Sequence, residues 1–259
     1  MNTKPSKARQ DYTAKAESSF GRPLNPEERK AVLGFSEAVV RMAIISLSNK
    51  EIAGMVSEAC SMNTVMALLE QMAGGTDSLA AGRQKLLDLL TPKGRKVVAE
   101  FDLDLELDRF SRWFLALLRS DPLPPGIRAL NFGLFESESG FRLYVTGAHT
   151  YNRKDSEWAC AIDWWPEGQY APLDGLARLD KSLRTARSKP VAGVETWVIA
   201  QAIAILLIKA FFERHSHEVR KMLGKKTLFI ASGFDEGDLY AIKTSVSPKA
   251  SHSQRLSTH

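Results

Sequence analysis

Cysteine is scarce in this chain. The 259 residues include two, Cys60 and Cys160, a hundred positions apart, which is neither a metal-ligand spacing nor a disulfide framework. A reducing, cytoplasmic setting is therefore expected. Charge of one sign is also lacking. The 35 Lys and Arg against 30 Asp and Glu leave +5, and much of that lies at the ends, in Lys4, Lys7, Arg9 and Lys15 and in Lys243, Lys249 and Arg255. So diffuse an excess bears on solubility and supplies no basic stripe for nucleic acid. No apolar segment follows the first basic residues, so no secretory signal is expected.

Long apolar runs are limited to one. Val194 to Phe212 reads VETWVIAQAIAILLIKAFF, interrupted by Glu195, Gln201 and Lys209. The run is nearly long enough to span a bilayer, but a central Lys is costly in lipid. A helix buried in a protein core, with no membrane partner, is the expected outcome, and an isolated membrane anchor is the alternative.

Catalytic signatures are missing as well. The chain has no HExxH, no paired CxxC, no GxGxxG after a strand and no GxSxG, which removes the common zinc, dinucleotide and serine-hydrolase sites. His215 and His217 are two apart, so on a helix they point in different directions. Gly224-Lys-Lys-Thr227 comes after a helix and before a strand, the reverse of a phosphate cradle, and reads as a helix C-cap. Cys160, between two alanines, suits a small buried thiol as well as a reactive one. His149 lies eleven positions upstream, but no orienting partner for a Cys-His pair is visible.

What remains is a chain with 44% hydrophobic and 25% charged residues, the profile of a globular protein. Residues 1–24 are polar and are expected to form a flexible arm. Residues 25–120 read as a helical region. Asn25-Pro26-Glu27-Glu28 supplies a cap, a first-turn proline and an acid three residues on, and Val32, Phe35, Val39, Met42, Ala43 and Leu47 follow at helical spacing. Ser48 with Glu51, and Thr91-Pro92, mark further starts, and Leu107, Phe110, Trp113, Phe114, Leu117 and Leu118 form a last apolar stripe.

The prolines of Asp121-Pro-Leu-Pro-Pro-Gly126 end that region. Residues 127–244 then read as α+β. Ala129 to Phe135 and Phe141 to Thr146 form a hairpin, Trp158 to Trp165 a third strand, and Lys226 to Ser232 and Leu239 to Thr244 another pair. The expected fold is thus α+β: a helical N-terminal bundle followed by a mostly antiparallel sheet packed on the long apolar helix. The tail 245–259, rich in Ser, His and Lys, is expected to be disordered.

Two groups of side chains stand out for function. Carboxylates gather at strand ends: Glu136 and Glu138, Asp155 and Glu157, and Asp235, Glu236 and Asp238. Converging acids of this kind serve metal-dependent hydrolases, although turns are built of the same residue types. The second group is aromatic. Tyr151, Trp164, Trp165 and Tyr170 offer large, rigid surface of the kind favoured at interface hot spots, and flanking acids attract a basic partner. By strand alternation Trp158 and Trp164 share one face and Trp165 takes the other. One side is core and the other is available.

Gly133-Leu-Phe-Glu136, Leu143-Tyr-Val-Thr-Gly147, Tyr151 followed by acids and Trp158-Ala-Cys160, and later Gly233-Phe-Asp-Glu-Gly-Asp-Leu239 resemble a motif set of small bacterial immunity proteins. Such proteins are encoded beside polymorphic or type VI secreted toxins. The resemblance covers the second half of the chain, where the linker NRKDSE is more basic than in that family. It implies a non-catalytic cytoplasmic inhibitor that binds a cognate toxin protein without a cofactor. Its contact residues would be Glu136, Glu138, Tyr151, Asp155, Glu157, Trp165, Tyr170, Asp235, Glu236 and Asp238. A metal-dependent hydrolase using the turn carboxylates is the alternative.

Overall fold

The computed structural model describes residues 6–152, 156–185, 196–223, 227–235 and 239–247. The chain divides into two compact units, Met1–Leu68 with Val191–Val194, and Leu69–Pro190 with Glu195–His259. The Pro-rich break at 121–126 is therefore a connection inside the second unit. Its prolines interrupt helix without separating two cores.

The first unit is helical, with α1 (Lys7–Phe20), α2 (Pro26–Gly34), α3 (Glu37–Ser46) and most of α4 (Asn49–Gly74). Helix α1 corrects the expected flexible arm. Ser6 caps it, and Gly21 at φ 64° ends it in the left-handed conformation that glycine adopts freely. Ala8, Tyr12, Ala16 and Phe20 recur every fourth residue, and Tyr12 and Ala16 are fully buried against Val32, Val40, Ala43, Ile52 and Val56. The arm's basic residues close neighbouring helix ends. Arg9 donates to the carbonyls of Leu33 and Phe35, and Lys15 Nζ donates to that of Leu47 at 2.8 Å, the favourable place for cations at helix C-termini.

The expected caps are present. Asn25 and Glu28 form a reciprocal capping box, Ser48 and Glu51 bond each other's backbone or side chain, and Thr91 caps the helix that Pro92 begins. The apolar run beyond Asn25 is broken, however. Ser36 caps a new helix, α3, and the change of direction buries Val40 while Met42 is 64% exposed.

The second unit contains α5 (Leu79–Leu89), α6 (Pro92–Ala99), α7 (Leu103–Ser120), the hairpin β1 (Ala129–Ser137) and β2 (Gly140–Ala148), and a 3-10 turn at Ser156–Cys160. Then come α8 (Asp174–Thr185), α9 (Thr196–Arg214), α10 (Ser216–Leu223), β3 (Phe229–Phe234) and β4 (Leu239–Ile242). The fold is α+β, and its four strands run in the order β2-β1-β3-β4. β1 pairs antiparallel with β2, and β3 with β4, while β1 and β3 are parallel. The helical connection from β2 to β3 permits that parallel pairing.

Alternation assigns the two faces of the sheet. Leu130, Phe132 and Leu134 point toward the helices, where Phe132 meets Phe110 and Phe114 of α7 and Phe212 of α9. In α9, all fifteen residues from Val198 to Phe212 are buried. It is long and apolar enough to cross a membrane, yet 83% of its apolar stretch is buried inside the protein. A helix apolar on every side belongs in a core. Its two polar interior residues have partners: Gln201 Nε2 bonds Ser232 Oγ at 2.9 Å, and Lys209 Nζ bonds the carbonyls of Met72 and Gly75. Burial lowers the Lys209 pKa from its ordinary value.

Residues 158–165 do not form a third strand. Ser156–Cys160 is a 3-10 turn, and only an isolated bridge joins Trp164 to Gly147. Pro166 lacks an N–H, and Gly168 takes a φ of 84°, so a regular ladder cannot continue. The segment is instead tied irregularly along the outer edge of β2. Gly147 N donates to Trp164 O at 2.9 Å, Val145 N to Gln169 O at 3.1 Å, and Ala171 N to Leu143 O at 2.8 Å. The expected disordered tail begins as an ordered turn in which Val246 is buried, and residues 248–259 lie outside the described set.

Candidate functional site

The sequence-predicted residues are spread over both faces and the outer edge of the sheet, and the aromatic ones fall in three different settings. At one end, Tyr151 lies flat on Phe229, with ring centres 3.8 Å apart, and meets Trp158 edge-on at 5.3 Å. With Ala129, Ala148 and Ala231 these rings form a small second core. Tyr151 is thus mainly structural. The alanines exist because two rings must sit directly on the strands.

In the middle, the Tyr144 ring crosses β1 above Gly133. A Cβ on Gly133 would fall 2.2 Å from that ring, so this position excludes any side chain. The ring's hydroxyl donates to Asp235 at the end of β3. Burial raises the Tyr144 pKa, and the bond to Asp235 and the nearby Cys160 raise it further. Asp235 is therefore a hydrogen-bond acceptor within the fold. The sequence alone gave Tyr144 no role, although glycine opposite an aromatic in a hairpin register signals such a crossing.

The third setting is the loop along β2. Trp164 is 4% exposed, and its indole donates to Asp121. Trp165, the next residue, is 56% exposed and Tyr170 is 43% exposed. Trp164 and Tyr170 bridge to Gly147 and Tyr144, which are three residues apart, or about 10 Å along a strand. The loop is clamped on its other side as well, because Trp113 Nε1 of α7 donates to Gly168 O at 2.9 Å. Asp163 receives the His149 backbone N–H at 2.7 Å and lies 3.1 Å from its ring nitrogen. Trp165 and Tyr170 are consequently shown to solvent on a stiff frame. Arg142 sits over the Tyr170 ring at 5.3 Å.

The carboxylates do not converge. Glu136 follows Leu134 on the helix side and pairs with Arg184 of α8 at 2.6 Å. Asp235 faces Tyr144 on the opposite side. Glu138 is exposed in the hairpin turn, and Glu157 is exposed beside Trp158 at the other end of the strands. Asp155, Glu236 and Asp238 lie outside the described residues, as does Gly224 of the expected cap. Among the described residues, no group of three or more His, Cys, Asp or Glu side chains is placed to hold a metal ion. Cys160 is exposed, against the expected buried thiol, because the 3-10 turn directs Trp158 inward instead. His149 is engaged with Asp163. Comparison with protein-family models, curated proteins and solved structures finds no match to the chain.

Proposed function

We propose that this chain is a cytoplasmic immunity protein that binds a cognate bacterial toxin domain and blocks it. The observation that carries the reading is Trp165, a large apolar ring 56% exposed on a loop fixed by β2 on one side and Trp113 on the other. Pre-ordered aromatic side chains lose little entropy on binding and dominate interface energies. Tyr170 stands on the same edge, and the exposed Asp163 and Glu167 flank Trp165 in the chain, which favours a basic contact surface on the toxin. Inhibition is steric and electrostatic and uses no cofactor. Glu136, Glu138 and Glu157 are peripheral contacts in this reading, while Tyr151 and Asp235 support the surface from within.

Co-expression with the product of the adjacent gene tests the proposal. Rescue of growth together with a co-purifying complex is expected. Continued toxicity with no complex contradicts it.

A further inference from the structure

A groove of about 540 Å3 runs between α7 and the segment that leads from Trp164 into α8, within the size range of small-molecule sites. Three contacts set that segment antiparallel to the helix. Trp164 Nε1 donates to Asp121 Oδ1 at 3.3 Å, at the C-terminal end of α7. Trp113 Nε1 donates to Gly168 O at 2.9 Å, in the middle. Gly175 lies against Glu106 near the start, where a Cβ would fall 2.5 Å from the carboxyl carbon.

Trp113, Ala116, Leu117 and Pro172 give the groove an apolar lining. The Trp113 ring is held in place, by Gly168 at its nitrogen and by Phe110 and Phe114 at 5.5 and 5.7 Å between ring centres. Charge is distributed unevenly along the length. Arg109 and Arg112 line the part toward the start of α7, while Glu167, one residue before Gly168, falls toward its end. Arg109 spends Nη1 on Glu106. Arg112 is exposed and forms no ion pair among the described residues. It donates from Nε to the Asp108 carbonyl at 3.4 Å, which leaves both terminal nitrogens for a ligand. The Asp108 carboxylate does not compete for them, because Arg214 holds it at 2.6 Å.

We propose that this groove binds a small planar aromatic carboxylate. Its ring lies on Trp113, Ala116 and Leu117, and its carboxylate accepts two hydrogen bonds from the terminal nitrogens of Arg112. A guanidinium fork matches a carboxylate bidentately, and aromatic rings in contact add to the apolar burial. A cation would meet two guanidiniums against one carboxylate. A small hydrophilic anion would leave the indole uncovered, and a neutral ring would leave Arg112 unmatched. The groups that recognise the ligand are within its reach, since Arg112 and Ala116 are exposed and Trp113 is half-buried. The proposal does not depend on toxin binding.

The test is titration of the full chain with sodium 2-naphthoate, read from the NMR signals of the Trp113 indole N–H and the Gly168 amide. A saturable shift with a dissociation constant of about 1 mM is expected for so small a ligand. 2-Naphthamide, which keeps the ring and loses the charge, should bind at least fivefold more weakly. Cyclohexanecarboxylate, which keeps the charge and loses the flat ring, should do the same. Arg112→Gln should weaken naphthoate binding at least fivefold. Ala116→Glu, at an exposed helical position, sets a carboxylate in the groove and should abolish the shift. Both variants change exposed side chains, so their folding is not at stake. No saturable shift, equal binding of 2-naphthamide or cyclohexanecarboxylate, or unchanged binding by either variant overturns the proposal.

Discussion

Lys209 Nζ lies 2.6 Å from the carbonyl oxygen of Met72 and 2.9 Å from that of Gly75. The buried cation of α9 thus closes the C-terminal end of α4. Lys243 N adds a bond to Ala73 O at 3.0 Å, so the end of α4 gains three hydrogen bonds from two distant residues. Lys209→Met keeps the stem of the side chain and strands two carbonyls, and should cost about 2–4 kcal/mol. Urea denaturation followed by circular dichroism checks this. A variant as stable as the parent would mean that the carbonyls find other donors.

Gly133 and Tyr144 should behave as one unit. Gly133→Ala places a methyl group inside the Tyr144 ring and should destabilise by about 1–3 kcal/mol. Tyr144→Phe only removes the hydroxyl bonded to Asp235 and should cost about 1 kcal/mol. In a Tyr144→Ala background the Gly133→Ala change should lose most of its effect, since residues in contact are not additive. Tm values for the parent and the four variants settle the point.

Adjacent tryptophans should respond differently to the same truncation. Trp165→Ala, at an exposed site, should shift stability by less than about 0.5 kcal/mol. Trp164→Ala removes a buried ring and its bond to Asp121, and should cost about 3–5 kcal/mol. Thermal unfolding monitored by tryptophan fluorescence distinguishes them.

Acid should weaken the first unit through Glu28. Two hydrogen bonds from Arg22, and a further one from Asn25 N, hold its pKa below the usual carboxylate value of 4.5. A group whose folded pKa is lowered stabilises above its unfolded pKa, and that contribution is lost as pH falls through the folded value. The unfolding midpoint should therefore drop as pH falls from about 4.5, and Glu28→Gln should be less stable at neutral pH and flatter below it. Chemical denaturation across pH 3 to 7 provides the comparison.

Helices with polar caps were legible in the sequence because a cap is a local hydrogen-bond device: Asn25 with Glu28, Ser48 with Glu51, and Thr91 before Pro92. Helix α1 was not, because its stripe alternates alanine with aromatics inside a polar stretch, and alanine scarcely registers as apolar. Helix α8 escaped notice for another reason. Leu176, Leu179 and Leu183 are correctly spaced, but they follow a run of prolines and tryptophans that suggested only loop. Both hairpins were readable from turn residues and alternation. The tryptophan segment also alternates, and the contrast between Trp164 and Trp165 survives, yet Pro166 and Gly168 prevent a ladder. Glu136 and Asp235 looked like neighbours in a list of strand-end acids. The pleat puts them on opposite faces, which only the register of β1 and β3 reveals.

The most direct measurement is calorimetric titration of the purified chain with the toxin domain encoded by the adjacent gene, using the parent protein and Trp165→Ala. Binding by the parent, with affinity at least about 10-fold weaker for Trp165→Ala at unchanged Tm, is the predicted result. No binding by the parent, or equal affinity in the variant, would contradict a toxin-blocking surface centred on Trp165.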